Sequence, residues 1–193
     1  MSENKVKILF VCLGNICRSP MAEMIMKKMV KDARREEEFE ISSAATSDEV
    51  IGYDIYPPAK ECLRKHDIPF QKRGAWQVTD EDYSYYDHIF VMDWANLRDM
   101  KRRFGDEKGK IQMLMSLAGE EREIPDPWYT GDFESTYRDI CTSLNKFLSE
   151  SFYLIYNHFR CGESPVREFL VAVEVAFFRE IQKYCPTFRF LRS

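Results

Sequence analysis

The sequence predicts an α/β fold in three layers: a four-stranded parallel sheet flanked by helices, with an extra helical tail at the C-terminus. Three observations predict it. Apolar runs of strand length alternate with stretches of helical spacing, the pattern of a parallel sheet covered on both faces. The first run, Val6-Lys7-Ile8-Leu9-Phe10-Val11, reads as a strand buried on both sides. The stretch Cys12-Leu13-Gly14-Asn15-Ile16-Cys17-Arg18-Ser19-Pro20 then joins that strand to a helix, at the strand end where open sheets of this kind bind ligands.

In chain order, Lys5–Val11 is the first strand. Ser19 reads as a helix cap and Pro20 as the first helical residue. Met21, Met24, Ile25, Lys28 and Met29 then carry a helix to about Arg34. Phe39–Ser43 is the second strand, and the small polar residues Ser42–Asp48 form a loop at its C-terminal end. Pro57-Pro58 opens a second helix that ends near His66, before Ile68-Pro69. Asp87–Asp93 is the third strand, around Ile89-Phe90-Val91-Met92. Trp94–Phe104 is a helix that stops at Gly105, and Lys110–Leu114 is the fourth strand. A loop containing Gly119, Pro125, Pro127 and Gly131 follows. Asp132 caps a long helix with Tyr137, Ile140, Cys141, Leu144, Phe147 and Leu148 on one face.

The length of 193 residues suits one domain, 1–156, with an extension over 157–193. The net charge of -4 argues against a general nucleic-acid binder. Six irregularly spaced cysteines without a recognisable secretory signal point to a reducing cytoplasm. No stretch is long and charge-free enough for a membrane span. His66, His88 and His158 belong to no metal spacing. Cys62, Cys141, Cys161 and Cys185 form no CxxC pair, so neither a metal nor a cofactor is expected. The charge balance changes from -6 over residues 1–150 to +2 over 151–193. Ser164-Pro165 starts a helix there, and Phe169–Phe178 is apolar apart from Glu174. A docked helix, self-association, a partner-binding segment and a partly disordered extension all stay open for it.

The loop after the first strand carries the chemistry. Five residues separate Cys12 from Arg18, so the backbone N–H groups of Leu13, Gly14, Asn15, Ile16, Cys17, Arg18 and Ser19 can curl around one anion. Gly14 is free to take unusual dihedrals. Arg18 offers a planar fork to two phosphate oxygens. Cys12 lies beneath the anion as a nucleophile, and the helix N-terminus, the amides and Arg18 all favour its thiolate. Ser19 can donate to that sulfur, and Asn15 can bond within the loop. Cys17 reads equally as a reversible disulfide partner of Cys12 or as an inert buried thiol. A leaving group needs a proton, and Asp126 is the candidate donor. Pro125 and Pro127 stiffen its backbone, and Trp128 and Tyr129 partly desolvate it. Those two rings can also wall a slot for a flat aromatic leaving group.

The whole string Cys12–Pro20 resembles the active-site loop of the low-molecular-weight protein tyrosine phosphatases. Ser43-Ala44-Ala45-Thr46-Ser47, Lys65-His66-Asp67-Ile68-Pro69, Val91-Met92-Asp93 with Asn96-Leu97-Arg98-Asp99, and Asp126-Pro127-Trp128-Tyr129 extend the resemblance over about residues 5–150. It implies a flavodoxin-like phosphatase fold and hydrolysis of phosphotyrosine proteins or aryl phosphates without metal. Cys12 would be the nucleophile, Arg18 the phosphate clamp and Asp126 the general acid. Asn15, Ser19 and Ser43 would support the loop, with Ser43 bonded to Asn15, and Cys17 would be the redox partner. Ile16 stands where an aliphatic residue goes with phosphotyrosine and a threonine with phosphoarginine. Glu49 replaces an aromatic residue common on the variable loop, leaving one side of the slot more open or acidic. A histidine common in the region Lys72–Ala75 is absent, and the tail has no counterpart. Thiol-relay arsenate reduction and a phosphate- or partner-binding module are the alternative functions.

Overall fold

A computed structural model of the chain describes residues 5–160, with side chains described through residue 149. The four strands are β1 (Val6–Cys12), β2 (Phe39–Ala45), β3 (His88–Val91) and β4 (Ile111–Met113). They form one parallel sheet in the order β2-β1-β3-β4. The helices are α1 (Arg18–Asp32), α2 (Pro57–Lys65), α3 (Asp80–Tyr85), α4 (Trp94–Phe104), α5 (Pro127–Thr130) and α6 (Phe133–Arg160).

β1 is the axis of the sheet, pairing with β2 on one side and β3 on the other. Because side chains alternate across a strand, its residues feed two cores. Ile8, Phe10 and Cys12 join the core under α1, α2 and α6. Leu9 and Val11 join the core with Val78, Tyr86 and Met100, packed by Tyr83 of α3 and Leu97 and Phe104 of α4. Burial on both faces explains why β1 has no polar side.

The expected strands and long helices are present with shifted ends. The differences have local causes. Ser19 is not the cap of α1: the helix begins at Arg18 with Cys17 in the capping position, which places Ser19 inside the first turn. The α3 helix was not expected. Its start is a capping box in which the Thr79 side chain accepts from the Asp82 amide and Asp82 accepts from the Thr79 backbone. With six residues and no buried side chain, α3 has no apolar period to announce it. Asp132 does cap α6, accepting from the Ser135 amide at 2.8 Å.

The expected domain boundary at 156/157 falls within α6, which runs on to Arg160. From residue 161 onward the extension expected over 157–193, with its helix and partner roles, lies outside the described residues. No helix among the described residues is long and apolar enough to cross a membrane.

Candidate active site

The sheet reverses its winding direction between β1 and β3, and the carboxyl ends of these two strands flank the site. Cys12 is the last residue of β1. The residues after it turn into the N-terminus of α1, whose first amides carry the positive end of a helix of 15 residues. Hydrogen bonds tie the segment after β2 to this loop: Thr46 N–H to Cys12 O at 2.9 Å, Ser47 N–H to Leu13 O at 3.0 Å and Tyr56 N–H to Ile16 O at 2.9 Å.

The left-handed residue of the loop is Asn15, with φ of 55°, and Gly14 has no positive φ. Gly14 is needed for space instead: a Cβ built there would lie 2.9 Å from Cγ2 of Val50. Asparagine tolerates the left-handed region at a cost of about 1–2 kcal/mol. The side chain of Asn15 holds it there. Nδ2 donates to Ser19 Oγ and to Ser43 Oγ, each at 2.9 Å, and Oδ1 accepts from Arg73 Nη2 at 2.8 Å.

Arg73 was not anticipated. It lies in the stretch 72–75, which holds no histidine, and it clamps Ser43 and Asn15 from there. Nη1 donates to Ser43 Oγ at 2.6 Å and to Glu23 Oε2 at 2.8 Å, and Nη2 also donates to the Ser43 carbonyl at 3.1 Å. Ser43 Oγ thus accepts twice and donates once, to Glu23 Oε2 at 2.6 Å, which exhausts a hydroxyl's capacity. Glu23, buried on α1, was likewise missed. Its place in a run of helical residues carries no sign that it faces inward.

Arg18 is 2% exposed. Nη1 donates to Asp93 Oδ2 at 2.7 Å and to the Ile124 carbonyl at 3.1 Å, and Nη2 donates to Asp126 Oδ2 at 2.6 Å. Both carboxylates are helix caps with an oxygen to spare. Asp93 Oδ1 accepts from the Asn96 amide at the start of α4, and Asp126 Oδ1 accepts from the Trp128 amide at the start of α5. Burial opposes the guanidinium charge. Cys12, Asp126 and Asp93 more than offset it and hold Arg18 above its ordinary pKa. Nε of Arg18 is buried without a protein partner, a donor suited to an anion oxygen in the loop.

Cys12 Sγ lies 3.1 Å from Ser19 Oγ. The same hydroxyl can donate to the Ala44 carbonyl at 3.2 Å, so a charged sulfur competes well for its single hydrogen. The second thiol of the loop is different in character. Burial pushes the Cys17 thiol far up, Cys12 and Asp126 push it further, and Arg18 only partly opposes them, so Cys17 stays protonated at neutral pH. Cys12, Cys17 and Cys62 are free thiols, and all three are buried.

These groups open onto a cavity of about 220 Å³ lined by Cys12, Leu13, Gly14, Ile16, Cys17, Arg18, Ser47, Glu49, Val50, Asp126, Trp128 and Tyr129. The four residues expected along the slot, Ile16, Glu49, Trp128 and Tyr129, all line it. Trp128 is 53% exposed and Tyr129 80%, so both rings stand at the rim. Trp128 leans on Tyr56, with ring centroids 4.7 Å apart, and Tyr56 was not singled out from the sequence.

The family model of the low molecular weight phosphotyrosine protein phosphatase matches residues 7–153. A human protein of that description is 39% identical over 162 residues, covering 78% of this chain and 99% of its own. Among solved structures, a low molecular weight protein tyrosine phosphatase from Streptococcus pyogenes, SP-PTP, is 36% identical. It has a TM-score of 0.68 and covers 76% of this chain and 93% of its own. YfkJ from Bacillus subtilis is 32% identical, with a TM-score of 0.73 and coverage of 77% and 95%.

Proposed function

This chain belongs to the low-molecular-weight phosphotyrosine protein phosphatase family, and from that premise we propose that it hydrolyses phosphotyrosine and small aryl phosphates through a phosphocysteine. The observation that carries this reading is a convergence. A thiol at the end of β1, a buried guanidinium with one unpartnered N–H and a carboxyl 2.6 Å from that guanidinium all face one cavity.

In the proposed reaction the phosphate enters the Cys12–Arg18 loop and meets its amides and Arg18. The Cys12 thiolate attacks phosphorus as the bond to the aryl oxygen breaks, and Asp126 gives that oxygen its proton. Asp126 is bonded to Arg18 in the structure, so the incoming phosphate takes the Arg18 Nη2 contact from it. Water then attacks the phosphocysteine while Asp126 accepts its proton, and the Ser19 hydroxyl stabilises the departing sulfur. The loop amides and the paired, buried Arg18 need little reorganisation as charge shifts between the phosphate oxygens. The small cavity and the rim rings suit a single aryl group, and the aliphatic Ile16 favours phosphotyrosine over phosphoarginine.

The test is hydrolysis of p-nitrophenyl phosphate and of matched phosphotyrosine, phosphoserine and phosphoarginine peptides. Cys12→Ser is expected to be inactive. Asp126→Ala is expected to lose about 10²–10⁴-fold in kcat. A Cys12→Ser protein that matched the parent would remove the mechanism, and turnover of phosphoarginine alone would replace the substrate.

A further inference from the structure

Away from the catalytic cavity, Cys62 and His66 are four residues apart, at the end of α2 and just past it, so they share one face. Glu134, in the first turn of α6, packs against that face. One ligand atom from each of the three residues lies within 4.8 Å of the others. His66 Nε2 is 2.7 Å from Glu134 Oε2, and Cys62 Sγ points at the Phe133 carbonyl at 3.5 Å. The His66 ring is fixed by stacking on Tyr137, with centroids 3.6 Å apart and planes 9° from parallel. Cys62 is buried, while the side chains of His66 and Glu134 are 31% and 43% exposed, so the group has a closed base and an open mouth.

We propose that Cys62, His66 and Glu134 form a site for a zinc-class divalent cation that joins α2 to α6. A thiolate, an imidazole and a carboxylate are the ligand types such ions prefer, and three protein ligands leave a fourth position for water. Tetrahedral zinc at about 2.0–2.3 Å from each ligand sets the ligand atoms roughly 3.3–3.8 Å apart. The His66–Glu134 hydrogen bond must therefore open, and the sulfur must close in slightly.

The charge balance is simple. The metal displaces the Cys62 proton to solvent. His66 gives up the hydrogen bond to Glu134 and binds through the Nε2 lone pair, with its hydrogen on Nδ1. The dication then meets one thiolate and one carboxylate. Ligation needs the thiolate, so binding at this site releases one proton. Irregular cysteine spacing hid this group, because its third ligand comes from a helix 68 residues beyond His66.

The full chain carrying Cys12→Ser, which removes the catalytic thiolate as a competing ligand, is stripped with a chelator and titrated with Co²⁺ or Zn²⁺. One equivalent of Co²⁺ is expected to produce a thiolate charge-transfer band and tetrahedral d–d bands. A hundredfold excess of Zn²⁺ over Kd should raise Tm by about 5–10 °C. Adding Cys62→Ser should abolish the charge-transfer band. Because that buried change can weaken the fold, His66→Gln and Glu134→Gln are tested on the same background. Both keep the thiol and should bind more than about tenfold weaker. No saturable band in the Cys12→Ser protein, or a band of unchanged affinity in these variants, would overturn the proposal and leave an ordinary His66–Glu134 hydrogen bond.

Discussion

Replacing Arg73 by leucine tests whether the network behind the phosphate loop positions it. The arginine makes four side-chain hydrogen bonds, to Glu23 Oε2, Ser43 Oγ, Ser43 O and Asn15 Oδ1. Removing one partner of a buried ion pair costs about 3–5 kcal/mol. Here Glu23, whose side chain is 7% exposed, keeps Ser43 Oγ at 2.6 Å and Lys27 Nζ at 2.5 Å, so about 2–3 kcal/mol is the better figure. That corresponds to a fall in Tm of about 5–10 °C for a chain of this size. The catalytic consequence is separate. Asn15 sits in a conformation that costs about 1–2 kcal/mol and loses one of its three side-chain clamps, while Ser43, which holds another, loses two donors. Well below Tm, kcat/KM for p-nitrophenyl phosphate should fall by about 10–100-fold, with inhibition by inorganic phosphate weakened in parallel. Arg73→Lys keeps the charge but not the fork, and should fall between parent and leucine. In a cycle with Glu23→Gln, the two sites should couple by at least about 1 kcal/mol. If Arg73→Leu lost stability but kept kcat/KM and phosphate affinity within twofold of the parent, the network would be a structural tie with no hold on the loop.

Two further outcomes follow from the electrostatics. Asp126→Asn removes the carboxylate 2.6 Å from the guanidinium proposed to receive the phosphate; equilibrium binding of inorganic phosphate at pH 7 should tighten by about three- to tenfold while turnover collapses, and unchanged or weaker binding would contradict the competition inferred between Asp126 and the anion for Arg18. Burial holds His88 below its ordinary pKa, with Asp87 opposing, in a place where its ring stacks on Phe90 and meets the edge of Phe147. Protonation therefore favours the unfolded chain: the stability is present above about pH 6.5 and is lost as pH falls through the lower folded value. Urea midpoints of the parent should drop more steeply between pH 7 and 5 than those of His88→Leu, and parallel profiles would refute the assignment.

Much of the fold was legible because it rests on local rules. A strand buried on both faces is apolar throughout, a strand–loop–helix join is marked by loss of period, and Asp132 and Gly105 punctuate helices as capping chemistry requires. The phosphate loop is contiguous, so Cys12, Arg18 and Ser19 could be named from spacing. Asp126 stood out by its flanking prolines, although its job as cap of α5, with one oxygen turned to Arg18, did not. At Gly14 the local rule fails. Glycine suggests dihedral freedom, yet the left-handed residue is Asn15, because Val50 needs the room beside Gly14 and Arg73, Ser43 and Ser19 clamp the asparagine.

By itself, then, the sequence determined the alternation of strands and helices, the Cys12–Ser19 loop between β1 and α1, and the aromatic rim, since each is written in neighbours a few residues apart. Only the tertiary structure decided which distant groups complete them. Arg73 reaches Asn15 across 58 positions, Asp93 reaches Arg18 across 75 and Glu134 reaches His66 across 68. Each of these contacts joins polar residues of ordinary type, which meet only when the parallel sheet and its crossovers carry them to the same end of the molecule or the same helix face.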